Sequence, residues 1–294
     1  MKNITSLFAT LILTLFMVSC ENETTNNPSE VTEDLVSIQE IFMENSITNY
    51  TINNGLNTQI DYGSNSYQTQ TFSNGKMVMI EYFNNGLNTG FESFEYDSSD
   101  RIVMATRSFI ADNITTVRNY EYAGNDILAT KSEYDDNDNL LNQTTYTFTL
   151  NANNRIVHYE NIDGSAYWDA SYTNGNLTGF TASGYGNDVD GTATFTYASE
   201  LASAPYQKES YRYGSEWKNN VMLIQTGNYA FKQLAELGTN YLTGYTFTVT
   251  SDPNRTITLD VTYEFDNLGR LTEQAKTKMF FESLQTRVLT YEYQ

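Results

Sequence analysis

A short turn that recurs along the chain limits its fold more than any other feature. Three segments align without gaps: FEYDSSDRI (94–102), SEYDDNDNL (132–140) and YEFDNLGRL (263–271). In each, an aromatic residue directly precedes an Asp, with a second aromatic two positions earlier in 94–102 and 263–271, and two variable residues then precede a residue that tolerates positive φ. A polar and an aliphatic residue follow. This order is typical of a strand, a tight turn and a second strand.

The turn residues have defined geometric roles. Three aspartates are predicted to cap a type I turn with their side chains: Asp97, Asp135 and Asp266. Three residues are predicted to take the left-handed position that closes a hairpin with a bulge: Asp100, Asp138 and Gly269. A fourth segment, FTLNANNRI (148–156), uses Asn151 and Asn154 in these two roles. Two-residue hairpin turns are predicted at Asn74-Gly75, Gly124-Asn125 and Asn174-Gly175.

The spacing of these turns predicts the fold class. Polar turn segments recur about every 12 residues, and the segments between them have the usual length of a β-strand. Within one run, Leu140, Tyr146, Phe148 and Leu150 share one face of the predicted strand. We therefore expect an all-β fold, a large antiparallel up-and-down meander of about 15–18 strands. A sheet of that size must curl, close into a barrel or split.

Two segments have helical spacing instead. Residues 33–46 place Leu35, Ile38 and Phe42 on one stripe after a capping Thr32, which predicts an N-terminal helix. Residues 227–238 place Ala230, Phe231, Leu234 and Leu237 on one stripe before Gly238, which predicts a second short helix across the mouth of the sheet. With no linker to divide it, the region 33–294 is interpreted as a single β-meander domain.

The N-terminal segment is interpreted as an export signal and not as part of the folded domain. Its apolar stretch, Leu7 to Val18, is shorter than a spanning helix needs, and Cys20, the single cysteine, follows a small residue. The segment resembles a bacterial lipoprotein signal, which implies that residues 1–19 are removed and that Cys20 is lipidated. Residues 20–32 then form a flexible tether. The alternatives are an ordinary signal peptide and an uncleaved anchor.

The net charge and the N-terminal signal together favour a location in the cell envelope. We expect an outer-membrane lipoprotein that faces the periplasm or the cell surface, and Glu21 and Glu23 could act as an export signal. The formal net charge is −20 at pH 7. Such a chain is repelled by nucleic acid and by anionic lipid headgroups, so its membrane contact is predicted to run through the lipid alone.

The segment YEFDNLGRLTE is similar to the tyrosine-aspartate repeat of Rhs-type proteins. In length and in its pairing with a lipoprotein signal, the chain more closely resembles secreted lipoproteins of Bacteroidota, of unknown function, that carry degenerate repeats of this kind. The resemblance covers residues 66–294 and implies a porin-like curled β-sheet. It brings no catalytic residues.

The sequence offers little support for catalysis. His158, the single histidine, fits an ordinary strand position, and a zinc site would have to rest mainly on carboxylates. The acidic run 135–139 does not fit an EF-hand loop, because Leu140 stands where Gly is required. We therefore expect no metal, no cofactor and no enzymatic activity. A carboxylate-based glycoside hydrolase stays open as an alternative.

Aromatic residues are abundant, with 23 Tyr, 16 Phe and 2 Trp, and two roles explain them. They can fill half-exposed sheet positions, or they can stack on sugar rings. The candidate stacking residues are Tyr167, Trp168, Tyr211, Tyr213 and Trp217. The sequence thus favours a lipid-anchored, non-catalytic binding or structural module whose partner is a glycan or another envelope protein. An integral outer-membrane β-barrel is the further alternative.

Overall fold

A computed structural model describes residues 35–43, 46–186, 190–202, 230–280 and 283–294. These residues contain eighteen strands and one helix. The strands are β1 (Leu35–Phe42), β2 (Ser46–Asn53), β3 (Leu56–Asp61), β4 (Ser66–Ser73), β5 (Lys76–Asn84), β6 (Leu87–Tyr96), β7 (Ile102–Phe109), β8 (Ile114–Ala123), β9 (Asp126–Tyr134), β10 (Leu140–Leu150), β11 (Ile156–Asn161), β12 (Tyr167–Thr173), β13 (Asn176–Ser183), β14 (Gly191–Leu201), β15 (Asn240–Val249), β16 (Thr256–Phe265), β17 (Leu271–Phe280) and β18 (Ser283–Tyr293). The helix, α1 (Ala230–Glu236), lies between β14 and β15 in the chain.

The strands form one closed antiparallel barrel. Each strand pairs with the next along the chain, and β1 also pairs with β18, with Ile38 opposite Tyr291. This last pairing closes the sheet, so each of the eighteen described strands has a partner on both sides. The predicted all-β meander is therefore confirmed, at the upper end of the expected strand number. No helix in the described part of the chain is long and apolar enough to cross a membrane.

The N-terminal helix predicted over 33–46 is wrong, because β1 occupies Leu35–Phe42. The strand pairing explains the helical spacing. The register between β1 and β18 shifts between Leu35 and Ser37, and a bulge of this kind adds one residue to a strand. Leu35 and Ile38 are therefore both buried although they are three residues apart. Beyond the bulge the alternation of two resumes, and Ile38 and Glu40 are both buried.

The barrel has an apolar inner face and a polar outer face. On β16, Ile257, Leu259 and Val261 are buried, whereas Asp260 and Glu264 are exposed. Because a closed barrel has an inside and an outside, the buried face of each strand is the inner one. The buried side chains of all these strands join into one hydrophobic cluster, which α1 also enters.

Helix α1 packs on the inner face of β13 and β15. Its buried stripe consists of Ala230, Phe231, Leu234 and Ala235, and Leu237 follows it. The Phe231 ring stacks on Phe247 at 5.2 Å and meets Tyr245 edge-on at 5.0 Å. Offset and edge-on contacts of this kind are the favoured aromatic geometries. The helix predicted near 227–238 is confirmed over Ala230–Glu236, and residues 227–229 lie outside the described residues.

The recurring turn has the geometry expected from its sequence. Asp266 Oδ1 accepts hydrogen bonds from the backbone N–H groups of Leu268 and Arg270, and Gly269 has φ 77°. The equivalent turns at Asp97 and Asp135 show the same pair of bonds, and Asp100, Asp138 and Asn154 have positive φ. The bonds to the carboxylates hold the pKa of Asp97, Asp135 and Asp266 below its usual value.

The turns at the rim where β18 ends are linked to one another by tyrosines. In the β16–β17 turn, Asp266 forms an ion pair with Arg270, whose guanidinium lies 4.9 Å from the centre of the Tyr293 ring. The Tyr293 hydroxyl in turn donates to the carbonyl of Leu271. The same arrangement recurs at this rim with Arg101, Tyr122 and Ile102, with Arg155, Tyr172 and Ile156, and with Lys76, Tyr96 and Met77. The copies of the repeated segment at this rim, 94–102, 148–156 and 263–271, are therefore building units, since each is fastened to a neighbouring strand by a tyrosine.

Candidate functional site

The inner face of β17 and β18 departs from the apolar pattern of the barrel. Gln274 pairs with Leu289, and both are buried. The next two inward pairs toward the opposite rim are Lys276 with Arg287 and Lys278 with Gln285. Like charges directly opposite each other destabilise a sheet, so this cluster costs folding free energy unless other groups compensate.

Two carboxylates compensate part of this charge. Glu236 at the end of α1 lies 2.5 Å from the ammonium group of Lys276. Glu40 on β1 is buried and lies 2.9 Å from Arg287 Nε. The Tyr50 hydroxyl also donates to Glu40, at 2.6 Å. Strand β1 closes the barrel and α1 lies inside it, so this site exists only in the closed fold.

Helix α1 adds a further lysine to the same place. Its residues Lys232 and Glu236 are four apart and so lie on one face, opposite the face that packs on β13 and β15. Burial lowers the pKa of Lys232 to about 8, and the neighbouring ammonium of Lys278 contributes to this shift. The pKa of Lys278 is also lowered, first by its burial and then by the charge of Arg287. Both shifts show positive charge held close together and partly away from water.

These side chains surround a cavity of about 330 Å³ between α1 and the barrel wall, which we call the basic pocket. Four of its described lining residues are basic and one is acidic, in a chain whose formal net charge is −20. The lining residues are Phe42, Lys232, Glu236, Leu242, Tyr245, Leu259, Lys276, Lys278, Gln285, Thr286 and Arg287. A cavity with apolar walls and a few convergent polar groups is the usual form of a small-molecule site.

A second cavity, of about 560 Å³, lies among the turns after β3 and β5. The polar groups there already bond within the turns. Asp61 accepts from the Gly63 N–H, and the amides of Asn65 and Asn85 are 3.3 Å apart. These contacts give the turn residues a structural role, so the basic pocket is the stronger candidate.

The candidate glycan-stacking residues do not form one platform. Trp168 is 0% exposed and packs in the core against Tyr159 and Phe180, so stacking on a sugar from solvent is ruled out for it. Tyr167, its neighbour on β12, is partly exposed on the outer face, next to His158. The other three, Tyr211, Tyr213 and Trp217, lie outside the described residues, as does the predicted lipidation site, Cys20.

His158 has the strand position expected from the sequence. It lies on β11 with Nδ1 2.7 Å from Asp169 Oδ1, and its ring stacks on Tyr167. The acidic run 135–139 forms the β9–β10 turn, where Asp135 accepts bonds from Asn137 and Asn139. His158 and the acidic run are therefore both engaged in contacts with nearby residues of the sheet and its turns.

Sequence analysis missed the basic pocket, although one signal was present. Lys276 and Lys278 are two residues apart on a strand, so they share a face, and that face also carries the buried Gln274. Charged residues on the buried face of a strand break the binary pattern and mark a position with another purpose. The remaining pocket residues come from β1, β15, β16, β18 and α1 and have no common motif.

No protein-family model and no curated protein matches the chain. Among solved structures, it is similar to a porin-like protein from Bacteroides uniformis ATCC 8492, with 15% identity and a TM-score of 0.44 over 88% of this chain and 96% of that one. A porin-like protein from Bacteroides vulgatus ATCC 8482 has 10% identity and a TM-score of 0.36 over 88% of this chain and 98% of that one. The TcdB2-TccC3-TEV structure has 12% identity and a TM-score of 0.28 over 84% of this chain and 14% of that one. Porin-like Bacteroides proteins are thus among its structural neighbours, while the lipid anchor and the origin of the repeat stay predictions.

Proposed function

We propose that the protein is a lipid-anchored envelope barrel that binds a small ligand in the basic pocket without transforming it. One observation carries this proposal: the charged side chains of Lys232, Glu236, Lys276, Lys278 and Arg287 converge on one cavity of a barrel whose buried residues are mostly apolar. Charged groups turned toward a barrel interior reduce stability, so we attribute their presence to function.

The charges of the pocket favour binding over glycoside hydrolysis. A glycosidase needs two carboxyl groups roughly 5–9 Å apart on either side of the scissile bond. Glu236 is the one carboxylate among the described lining residues, and it is paired with Lys276. This pair occupies the carboxylate, and the pocket lining supplies no second described carboxyl group to act with it.

The outer face of the barrel favours an aqueous environment over a lipid one. A membrane-spanning barrel alternates apolar residues outward and polar residues inward. Here the alternation is the reverse, as β16 shows with Ile257 and Leu259 inward and Asp260 and Glu264 outward. We therefore assign membrane attachment to the acyl chains on Cys20, and the barrel itself to the aqueous side of the membrane.

Ligand binding is tested with the chain from Glu21 onward, in buffer without detergent. Thermal unfolding is followed with a panel of neutral and acidic mono- and disaccharides, and the sugars are then analysed for cleavage. We expect at least one sugar to raise Tm, because a ligand that binds only the folded state stabilises it, and we expect every sugar to be recovered intact. A panel without any shift would contradict the binding role, and a cleaved sugar would favour the glycosidase.

Anchoring is tested in the full-length protein with Cys20→Ser. The wild-type protein should be labelled by a radioactive fatty acid and should sediment with membranes. The variant should lose the label and leave the membrane fraction. A variant that stays with the membrane after a high-salt wash would contradict the lipid anchor, and a barrel that needs detergent to remain in solution would favour the integral alternative.

A further inference from the structure

We propose that the inner face of β7, β8 and β9 is a second binding site, which takes the carboxylate or phosphate group of a small ligand through the guanidinium of Arg107. The site lies on other strands than the basic pocket and is independent of the function proposed for that pocket. Three features support it: the direction in which the basic side chains point, their ion pairs, and their exposure to solvent inside the barrel.

The strands of the barrel separate their charges by face. Basic residues that lie inside a described strand, away from its ends, all share a face with buried residues. They are Arg107, Arg118, Lys131, Lys276, Lys278 and Arg287. Most acidic residues of the described strands face outward instead, as Asp260 and Glu264 do on β16. Lysine and arginine cost least on the solvated outer face, so folding alone does not explain why they face inward.

Five of the inward side chains form what we call the charged wall: Glu92 on β6, Arg107 on β7, Arg118 on β8, and Lys131 and Glu133 on β9. Arg118 lies directly opposite Lys131, and like charges in that position destabilise a sheet. One carboxylate oxygen lies near each of them, Glu92 Oε1 at 3.9 Å from Arg118 and Glu133 Oε1 at 2.5 Å from Lys131. With Arg107 the formal charge of the wall is 3 − 2 = +1, so it retains an attraction for an anion.

Arg107 supplies the positive charge that the two carboxylates leave over. It is opposite Glu92 in the sheet, but the Glu92 carboxylate lies beside Arg118 and has its Oε2 3.5 Å from the Tyr82 hydroxyl. Within the described part of the chain, Arg107 forms no ion pair with a carboxylate. Its guanidinium lies 4.5 Å from the centre of the Phe109 ring. An arginine held over an aromatic ring keeps its fork of N–H donors free for an oxyanion.

Solvent reaches the charged wall from inside the barrel. The side chains of its two ion pairs are between 16% and 34% exposed, and Arg107 is exposed. On the same inward faces, the residues two positions nearer the rim where β18 ends are buried: Phe94, Ala105, Tyr120 and Ala129. An inward side chain is exposed only where the interior beside it is accessible to solvent, so a small ligand can approach the wall.

Neighbouring inward groups suit a ligand that carries hydroxyl groups beside its anionic group. Thr116 lies opposite Arg107, and Thr144 lies opposite Lys131. Their hydroxyls can each donate and accept one or more hydrogen bonds. A carboxylate and a phosphate both fit the planar fork of an arginine, where they accept two parallel charge-assisted bonds. The wall therefore suits a sugar acid or a sugar phosphate, and the test has to separate these two sources of the oxyanion.

The test is labelling of arginine by phenylglyoxal in the chain from Glu21 onward, with mass spectrometry of the peptides to locate each label. Labelling rates are compared without ligand and with glucose, glucuronate or glucose 6-phosphate, which share one ring. We expect one or both acidic sugars to slow the labelling of Arg107 and Arg118 by about threefold or more near saturation, and glucose to leave it unchanged. Arg101 and Arg270 are internal controls, because both are ion-paired within turns at the rim where β18 ends, and their rates should not change.

Variants of Arg107 connect the protection to binding. In isothermal titration calorimetry, Arg107→Gln should weaken the protecting sugar by about 10-fold or more, because it removes a charged bidentate contact. Arg107→Lys keeps the charge but loses the planar fork, so its affinity should lie between those of Arg107→Gln and the wild type. Lys76→Met is the matched control, because Lys76 is ion-paired with Asp100 outside the charged wall, and it should bind like the wild type. Circular dichroism checks that each variant is folded.

Three results would overturn the second site. They are unchanged labelling of Arg107 with both acidic sugars, equal protection of Arg101 and Arg270, which would indicate nonspecific screening, and wild-type affinity in Arg107→Gln. The outcome for the basic pocket is separate. A sugar that raises Tm without protecting Arg107 would refute the second site and support the pocket, whereas protection of Arg107 that is lost in Arg107→Gln supports the second site whatever binds in the pocket.

Discussion

Removing the positive charge of Lys232 should stabilise the protein. Lys232→Met keeps a long, flexible side chain that can pack against the Phe231 ring and the wall of the pocket. It removes an ammonium group that is partly buried and that lies beside Lys278. Most single substitutions destabilise a protein, so a gain in stability would be an informative result.

The size of the effect follows from the pKa of Lys232. Burial, with a contribution from Lys278, lowers this pKa from 10.5 to about 8. Since each pKa unit corresponds to about 1.4 kcal/mol, the charged form is disfavoured by about 3 kcal/mol in the folded state. The side chain is half-buried, and solvent screening reduces the expected gain to about 1–2 kcal/mol. Lys278→Met removes the Coulombic contribution to the Lys232 shift and also the burial of its own ammonium group, so it should stabilise the protein as well.

The pH dependence gives the prediction a definite sign. Between about pH 8 and pH 10.5 the unfolded chain protonates Lys232 and the folded chain does not, so the unfolded state binds more protons. Stability from this group therefore rises with pH across that window and is constant below it. In Lys232→Met the rise is absent, and the variant should exceed the wild type most clearly below about pH 8.

The assay is thermal unfolding of wild type, Lys232→Met and Lys278→Met at several values between about pH 6 and pH 9.5. In a domain of this size about 1 kcal/mol changes Tm by roughly 2–4 °C, so the expected shift is measurable. A lower Tm for Lys232→Met at about pH 7, or an unchanged pH dependence, would refute the conclusion that this lysine is charged, buried and strained by its neighbours.

Three further changes test the rim and the position of α1. Tyr96→Phe removes the hydroxyl that bonds the Met77 carbonyl and should lower the free energy of unfolding by about 0.5–1.5 kcal/mol in urea denaturation; an unchanged value would contradict the role of this bond. Gly175→Ala should lower Tm more than Gly55→Ala: both glycines have positive φ, but a Cβ at Gly175 would overlap Thr239 just after α1, and equal shifts would contradict that contact. Stability should also fall above about pH 10, because burial raises the pKa of many tyrosines and keeps them protonated in the folded state while the unfolded chain ionises. Tyrosinate absorbance checks this, and ionisation near pH 10 without unfolding would contradict it; the tyrosines concerned are Tyr96, Tyr120, Tyr122, Tyr146, Tyr172, Tyr185, Tyr197 and Tyr293.

Local sequence patterns predicted the strands and turns well, because each depends on residues close together in the chain. Tyr146 and Phe148 are buried on one face of β10, as their alternation predicts. Leu140 was expected on the same face but is 53% exposed, since the pairing of β10 with β9 shifts register between Leu140 and Asn142. A bulge thus moved Leu140 off its predicted face, and another gave β1 its helical spacing. Register shifts depend on the partner strand, which a single segment does not reveal.

The basic pocket was harder to predict because it is assembled from distant parts of the chain. Glu40 meets Arg287 only when β1 pairs with β18, and Glu236 meets Lys276 only when α1 enters the barrel. The face shared by Lys276 and Lys278 could be read from their spacing, but the direction of that face could not. The glycan-stacking prediction at Trp168 failed for the same reason, since a strand residue points either inward or outward according to register.

A basic pocket in an acidic protein makes a kinetic prediction about its ligand. The chain carries a net charge of −20, so an approaching anion is repelled at long range and is attracted close to the four basic side chains of the pocket. Added salt screens the distant repulsion first, because the Debye length is about 8 Å at physiological ionic strength. The association rate of glucuronate should therefore stay constant or rise with salt, while its dissociation rate rises as the local attraction weakens. Both rates can be obtained from NMR line shapes in a salt titration, with glucose as the neutral control. An association rate that falls steeply with salt would mean that a positive field guides the anion from a distance, and the pocket would then have to be part of a larger basic surface.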